Sequence, residues 1–436
     1  LLVGLIAVVT LAGAVLLLAP DARGPMAALL DDASIDRDLD AIRADTLRVL
    51  VMDHHLVYQR VGPVETGLEF ELIERFARRE RLYLKAVPVQ WPDSLLPWLA
   101  RGVGDVVAVG LNGRSPIARK MATTLPYRFV SPVLVTLRRD PLCAAAVEEQ
   151  PDADSAWVSM WSPFAAAERR SPADATPGPD GRVLFTDTSR YGDASVVNVA
   201  LGRVRAALVS DAAANFFVGR MPQLRVSGPL NGSVPLVFAT RRNARDLLHR
   251  LDAHLAEPAE KEAVAMLISA YGSAPTAEED RPMPGCASTS AAFDAITLAS
   301  ILFRSAEPST SVARPLGAGA GAQLTAAAHY LEELDTTWRR SVPDPRERLY
   351  FVAASYVAGA GHVMDAQALA GSMGLDTQRW TCSVERALSL LDIPRYFASP
   401  VVSHGLCAGG KALRRVREVV CAYANTAAAV GVPPGQ

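Results

Sequence analysis

The sequence predicts a two-lobed α/β domain followed by an all-α domain, both behind an apolar amino-terminal helix. Three observations lead there. Strand and helix patterns alternate up to about residue 272, strand patterns vanish after a Pro/Gly/Ser-rich stretch at 273–290, and residues 1–20 carry no charge. A chain of 436 residues, half of them hydrophobic, is long enough for more than one core. Its formal net charge of −2, with interspersed signs, gives no footprint for nucleic acid.

Residues 1–20, LLVGLIAVVTLAGAVLLLAP, are long enough to span a bilayer core as a helix. They read as an uncleaved membrane anchor; the other reading is a cleaved secretory signal, whose apolar region is usually shorter. Both place the rest of the chain outside the cytoplasm. Residues 21–46, rich in Asp, Arg and Ala, form a spacer.

The α/β domain is expected over 47–272. LRVLVM, YLKAVPVQW and DVVAVGL read as strands, with GLEFELIERFARRERL and SLLPWLARG as the helices between them. This βαβ order implies a mainly parallel sheet. From Cys143 to Gly181 the chain loses periodicity and reads as loops and short helices. Strands resume at RVLFTDTS, RVRAALVSD, QLRVSG and PLVFATRR, and a long helix closes the domain. Two α/β halves joined through an irregular centre suit a ligand cleft between lobes.

Beyond the linker 273–290, the segments AAFDAITLASILFRS, AQLTAAAHYLEELDTTWRR, RERLYFVAASYVAGAGHVMDAQALA and GGKALRRVREVVCAYANTAAAV all read as helices, giving an all-α domain over 291–430. The five cysteines, Cys143, Cys286, Cys382, Cys407 and Cys421, form no CxxC pair, so a zinc ribbon is unsupported. In an oxidising compartment the last three supply one disulfide; buried unpaired cysteines are the alternative. Nothing in the motifs calls for a metal or a cofactor.

The stretch GLEFELIERFARRERLYLKAVPVQWPDSLLPWLARGVGDVVAVGL, with TLPY at 124–127, resembles the first lobe of family 3 periplasmic solute-binding proteins. FVAASYVAGAGHVMDAQALA (351–370) and GLCAGGKALRRVREVVCAY (405–423) resemble the helix-turn and closing glycine-rich turn of lysozyme-like, soluble-lytic-transglycosylase domains. In this order, behind a membrane segment, they resemble the membrane-bound lytic murein transglycosylase F family. That resemblance implies a peptidoglycan or muropeptide partner, a membrane-anchored place on the periplasmic side, and possible envelope protein partners.

The family's reaction requires one glutamic acid that protonates the glycosidic oxygen and then acts as base, which demands a raised carboxyl pKa. A gapless match to LASILFRSAEPS (298–309) puts Ser305 at that glutamate. A hydroxyl cannot serve as the general acid. Glu307, two residues on, is turned about 200° away if the helix continues; it is either a replacement acid or an exposed carboxylate before Pro308. The following segment, ARPLGAGAGAQLTAAAHYLEEL, is shorter than the family's by roughly a turn-and-loop unit, and it lacks the GK[ST] ending of a phosphate loop.

Tyr356, Gly359, Gly361 and His362 match the family's glycan-binding turn, whereas its asparagine corresponds to Val357 and its closing tyrosine to Leu406. Tyr356 is a candidate for glycan contact or for the core. In the first domain the ligand-clamping arginine corresponds to Ile117 and the aspartate to Ser210, with Arg114, Arg119 and Asp211 nearby. His54, His55 and Tyr58 follow the first strand, where binding residues tend to lie, or are solvated loop residues. The resulting expectation is a membrane-tethered peptidoglycan-associated protein of impaired catalysis, a pseudoenzyme that binds glycan or a partner. An active transglycosylase with a non-standard carboxylate, a solute receptor and an envelope scaffold remain alternatives, so enzymatic activity stays open.

Overall fold

The computed structural model describes residues 35–138, 140, 143, 155–165, 176–177, 183–230, 232–272, 294–304 and 320–430. Residues 1–20, the linker 273–290, Cys286, Ser305 and Glu307 lie outside the described residues. Among those described, no helix is long and apolar enough to cross a membrane.

The chain divides into two compact units, the first formed by residues up to Met52, Glu69–Arg128 and Pro235–Lys261. Its sheet is built on three strands, β1 (Leu47–Val51), β2 (Leu84–Pro88) and β3 (Val106–Asn112), in the order β2-β1-β3. All pair in parallel, with Leu50 opposite both Val87 and Val107. The expected βαβ order is thus observed. The strand Val234–Thr240 then adds antiparallel to β3, so the sheet is mixed. Strands buried on both faces explain the apolar runs VLV of β1, after Arg48, and VVAV of β3. The helix Leu68–Glu80 buries Ile73 and Phe76. Asp105 is wholly buried yet satisfied, its Oδ1 taking Arg37 at 3.0 Å and Arg241 at 2.8 Å. The long closing helix is broken at Glu257, and Pro258 starts the next segment, where its missing N–H costs nothing.

The second unit comprises Asp53–Leu68, Phe129–Val234 and the chain from Glu262 onward. Its sheet contains β4 (Pro132–Leu137), β5 (Ser155–Ser159), β6 (Thr176–Pro177), β7 (Val183–Asp187), β8 (Ala206–Ser210) and β9 (Leu224–Val226), ordered β6-β7-β5-β8-β4-β9. Strand β5 lies within the stretch read from the sequence as loops and short helices. It forms because β7 and β8 both pair with it in parallel, which overrides a composition poor in strand signals.

The same unit holds, among the described residues of the carboxyl-terminal part, the helices α1 (Ala295–Arg304), α2 (Ala320–Trp338), α3 (Pro345–Ala358), α4 (Ala360–Ser372), α5 (Glu385–Leu390), α6 (Pro394–Phe397) and α7 (Gly409–Val430). The one-turn α6 lies between α5 and α7. One continuous core joins Val133, Val197 and Phe217 beside the sheet to Trp338, Phe351 and Trp380 of the helices. Each such fully buried apolar side chain contributes roughly 1.5–3 kcal/mol. Cys143 and Cys382 form a disulfide across a sequence separation of 239, which corrects the pairing expected among the last three cysteines alone. Cys407 is free and buried.

Candidate functional site

The turn between α3 and α4 is built by local rules. Asp344 caps α3, its side chain accepting from the Arg346 N–H at 2.8 Å, and Pro345 takes the first helical position. The helix ends at Gly359, whose φ of +94° an L side chain rarely adopts, and α4 restarts at once. Tyr356 therefore sits on the last turn of α3 and His362 on the first turn of α4.

Tyr356 is half-buried, and its ring lies 6.0 Å from that of Tyr330 on α2, which is 41% exposed. Burial pushes the Tyr356 hydroxyl pKa up, with Tyr330 a lesser cause, so it acts as a neutral donor and acceptor. Val357 packs against the common core, as does Tyr356 in part. The His362 ring lies 6.1 Å from that of His404 in the loop before α7. The structure thus brings Tyr356, Gly359, Gly361 and His362 to one turn and adds Tyr330 and His404, which sequence reasoning missed.

Three carboxylates of the helical part are fully buried among the described residues, and each is engaged. Asp335 holds Arg348 at 2.6 Å and Arg339 at 2.7 Å. Glu385 holds Arg417 at 2.6 Å. Asp365 accepts the backbone N–H groups of Ser403 at 2.9 Å and His404 at 2.7 Å. Burial pushes the Asp335 and Asp365 carboxyls up, yet these partners outweigh it and hold both below the ordinary range. Neither of these two is a raised-pKa proton donor; burial does raise the half-buried Glu347 and Asp392 carboxyls, but Glu347 is engaged by the Trp380 N–H at 2.7 Å and Asp392 lies 3.9 Å from Arg220. The one metal-like cluster among the described residues, Cys143, Cys382 and Glu385, has both sulfurs tied up in the disulfide.

The candidates around the first strand have different surroundings. His54 and His55 are buried rather than solvated. His54 Nδ1 accepts from the Leu56 N–H at 3.1 Å, and burial, aided by His55, lowers its pKa to about 3. His55 stacks on Phe216 at 3.8 Å between ring centroids, and burial likewise lowers its pKa despite Asp193 nearby. Tyr58 donates to Glu65 at 2.6 Å. Ser210 and Asp211 both cap the helix Asp211–Arg220, Ser210 Oγ accepting from Ala213 and Asp211 from Ala212. Arg119 belongs to the first unit and is exposed, with Lys120, on the short helical turn Ala118–Lys120; Arg114, also exposed, precedes that turn.

Next to His55 lies a buried polar cluster with no sequence signature. Asp193 is 3.0 Å from Arg395 of α6 and 3.9 Å from His55. Burial raises the Asp193 pKa, but Arg395 and His55 together bring it well below the usual range. The Arg395 guanidinium also lies over the Tyr191 ring at 4.1 Å. Asp53, beside them, has its pKa pushed up to about 6, first by burial and then by the Asp193 charge.

No family model matches the chain. Over 400 residues it is 24% identical to a membrane-bound lytic murein transglycosylase F from Desulfosudis oleivorans, covering 82% of this chain and 84% of that protein. Over 452 residues it is 24% identical to a protein of the same name from Vibrio vulnificus, covering 90% and 83%. A stretch of 96 residues is 32% identical to the Shewanella loihica protein of that name, covering 22% and 19%. Among solved structures, holo ArgBP from T. maritima is 20% identical with a TM-score of 0.40, covering 52% of this chain and 99% of that one. An ancestral arginine-binding protein bound to arginine is 16% identical with a TM-score of 0.41, covering 52% and 97%. The resemblance to membrane-bound lytic murein transglycosylase F read from the sequence therefore holds over most of the chain.

Proposed function

Starting from a chain similar over most of its length to membrane-bound lytic murein transglycosylase F, we propose that it is a peptidoglycan-associated envelope protein that holds glycan without cutting it. Residues 1–20 tether it to the membrane, and the folded units face the periplasm. The turn carrying Tyr356, Gly359, Gly361 and His362 is the glycan-contacting element.

The observation that carries this reading is the state of the carboxylates. Cleavage by this chemistry needs an acid kept protonated near neutral pH. Ser305 occupies the matched position in sequence, and Asp335, Asp365 and Glu385 are each engaged by arginine or backbone N–H groups. Val357, in place of an amide, removes a hydrogen-bonding group from the same turn, while Tyr356 and Tyr330 still offer aromatic faces.

Incubation of the purified full chain in detergent with isolated sacculi tests it. The chain is expected to sediment with sacculi and to release no anhydro-muropeptides detectable by mass spectrometry. Release that disappears in Glu307→Gln would show an active enzyme with a displaced acid. Failure to sediment, together with saturable binding of a single amino acid, would instead favour a solute receptor.

A further inference from the structure

The loop 398–408, between α6 and α7, returns to the start of α4 and lays the His404 ring against it. What holds it there is Asp365, one turn into α4 and only 3% exposed. Its Oδ1 accepts the Ser403 N–H and its Oδ2 the His404 N–H, and Oδ2 lies 3.2 Å from His404 Nδ1. An ionised carboxylate only accepts, so the nitrogen facing it carries the proton. In the neutral ring the proton is then fixed on Nδ1, and Nε2 is left as a bare acceptor.

The His404 side chain is 51% exposed, and Nε2 has no hydrogen-bond partner among the described residues. Gly361 makes room for it. A Cβ at that position would stand 2.4 Å from the ring carbon Cδ2 and 2.5 Å from Nε2. The loop is already clamped by two backbone N–H groups, so orienting the imidazole as well is an additional feature of Asp365, not a requirement of the loop's path.

We propose that His404, oriented by Asp365 and seated on Gly361, is a sugar-binding residue whose Nε2 accepts a hydrogen bond from a hydroxyl of an N-acetylated amino-sugar strand. The inference rests on the glycan-holding function and names the contact that performs it. Two surroundings select a sugar over other ligands. Tyr356, on the last turn of α3, and Tyr330, its ring 6.0 Å away, supply apolar faces of the kind a pyranose ring stacks on, while an acceptor at the start of α4, on the other side of Gly359, suits the sugar's equatorial hydroxyls. A metal is disfavoured because His362 has its Nδ1 buried and its ring 6.1 Å away, and no third ligand converges among the described residues. An anionic ligand is disfavoured by the Asp365 charge directly behind the ring.

The test titrates the full chain in detergent with tetra-N-acetylchitotetraose, which has the sugar backbone and no peptide, and repeats it for His404→Ala, His404→Gln and Gly361→Ala. Losing one such hydrogen bond to a neutral group weakens binding by roughly tenfold. His404→Ala and Gly361→Ala are each expected to show that loss, whereas His404→Gln, whose amide can face Asp365 with its N–H and the ligand with its oxygen, retains most of the affinity. Unchanged thermal midpoints show that the variants fold. Equal affinity of wild type and His404→Ala overturns the inference while leaving the glycan-holding function intact. Absence of binding of wild type to both tetrasaccharide and sacculi overturns both. Anhydro-muropeptide release that His404→Ala abolishes would make His404 a proton-transfer group and overturn a purely binding role.

Discussion

Replacing Arg417 by Met should destabilise the second unit severely. Arg417, on α7, is 2% exposed and is shared by two carboxylates. Its Nε and Nη2 reach Glu385 at 3.0 and 2.6 Å, and its Nη1 and Nη2 reach Asp140 at 3.2 and 2.8 Å. Both contacts are bidentate, and Arg417 has its pKa raised by them although burial opposes it. Methionine fills similar volume but leaves two carboxylates facing each other, Glu385 with a side chain only 4% exposed. Removing one partner of a buried ion pair costs about 3–5 kcal/mol because the remaining charge is uncompensated. Urea unfolding followed by tryptophan fluorescence reads this unit directly, since Trp338 and Trp380 lie in its core. The triple variant Arg417→Met, Glu385→Gln, Asp140→Asn should recover part of the loss, because the unpaired charges are gone while the volume is the same. An Arg417→Met midpoint equal to wild type, or a triple variant less stable than the single one, would refute the reasoning.

Two further perturbations follow from buried groups. Glu69 in the first unit accepts from the Gly110 N–H at 3.0 Å and is fully enclosed, and burial pushes its pKa from an ordinary 4.5 up to about 7. Because the folded value is the higher one, its stability contribution is complete below pH 4.5 and is lost as pH rises through 7. Wild type should therefore lose roughly 3 kcal/mol of first-unit stability between pH 4.5 and 8 from this group, and Glu69→Gln should flatten that dependence; parallel urea curves for both proteins at the two pH values would contradict it. Reducing the Cys143–Cys382 bond, or Cys143→Ser with Cys382→Ser, opens a 239-residue separation and should cost about 5.5 kcal/mol by loop entropy, read as the shift of the urea midpoint. Cys407, whose thiol is buried and pushed up to about 11, should resist iodoacetamide at pH 8 until the chain is unfolded, which peptide mapping by mass spectrometry reads.

What could be read from the sequence is what repeats locally. Strands β1 and β3 carry apolar runs, VLV and VVAV, because both faces are covered there, and Gly359 announces its turn because only glycine takes that φ without strain. Strand β5 was hidden because its residues, SAWVS, owe their conformation to β7 and β8 on either side. The pairs Asp193–Arg395, Asp140–Arg417 and Cys143–Cys382 each join residues far apart in sequence, and polar contacts of this kind leave no period to detect. His404 was missed for a related reason. Its distinguishing property is the carboxylate behind it, and Asp365 lies in a different helix.

Packing accounts for the glycine-rich turn that follows Leu406. At the start of α7, a Cβ on Gly409 would fall 1.8 Å from the Leu388 carbonyl oxygen, and one on Gly410 would fall 1.9 Å from that of Arg220. Both obstacles are backbone, so no side-chain adjustment relieves them. Gly202 is constrained similarly by the Arg386 guanidinium, which donates to the Leu201 carbonyl at 2.7 Å. These glycines fix α7 and α5 against the helix Asp211–Arg220 and the segment after Ala194–Ala200, so they serve the core shared by the second sheet and the helices. Their demands are steric and are independent of bond cleavage. A chain of this fold needs every one of them whether or not it cleaves glycan, so a transglycosylase-like pattern of glycines in this part of the chain reports packing and not the presence of a proton-donating acid.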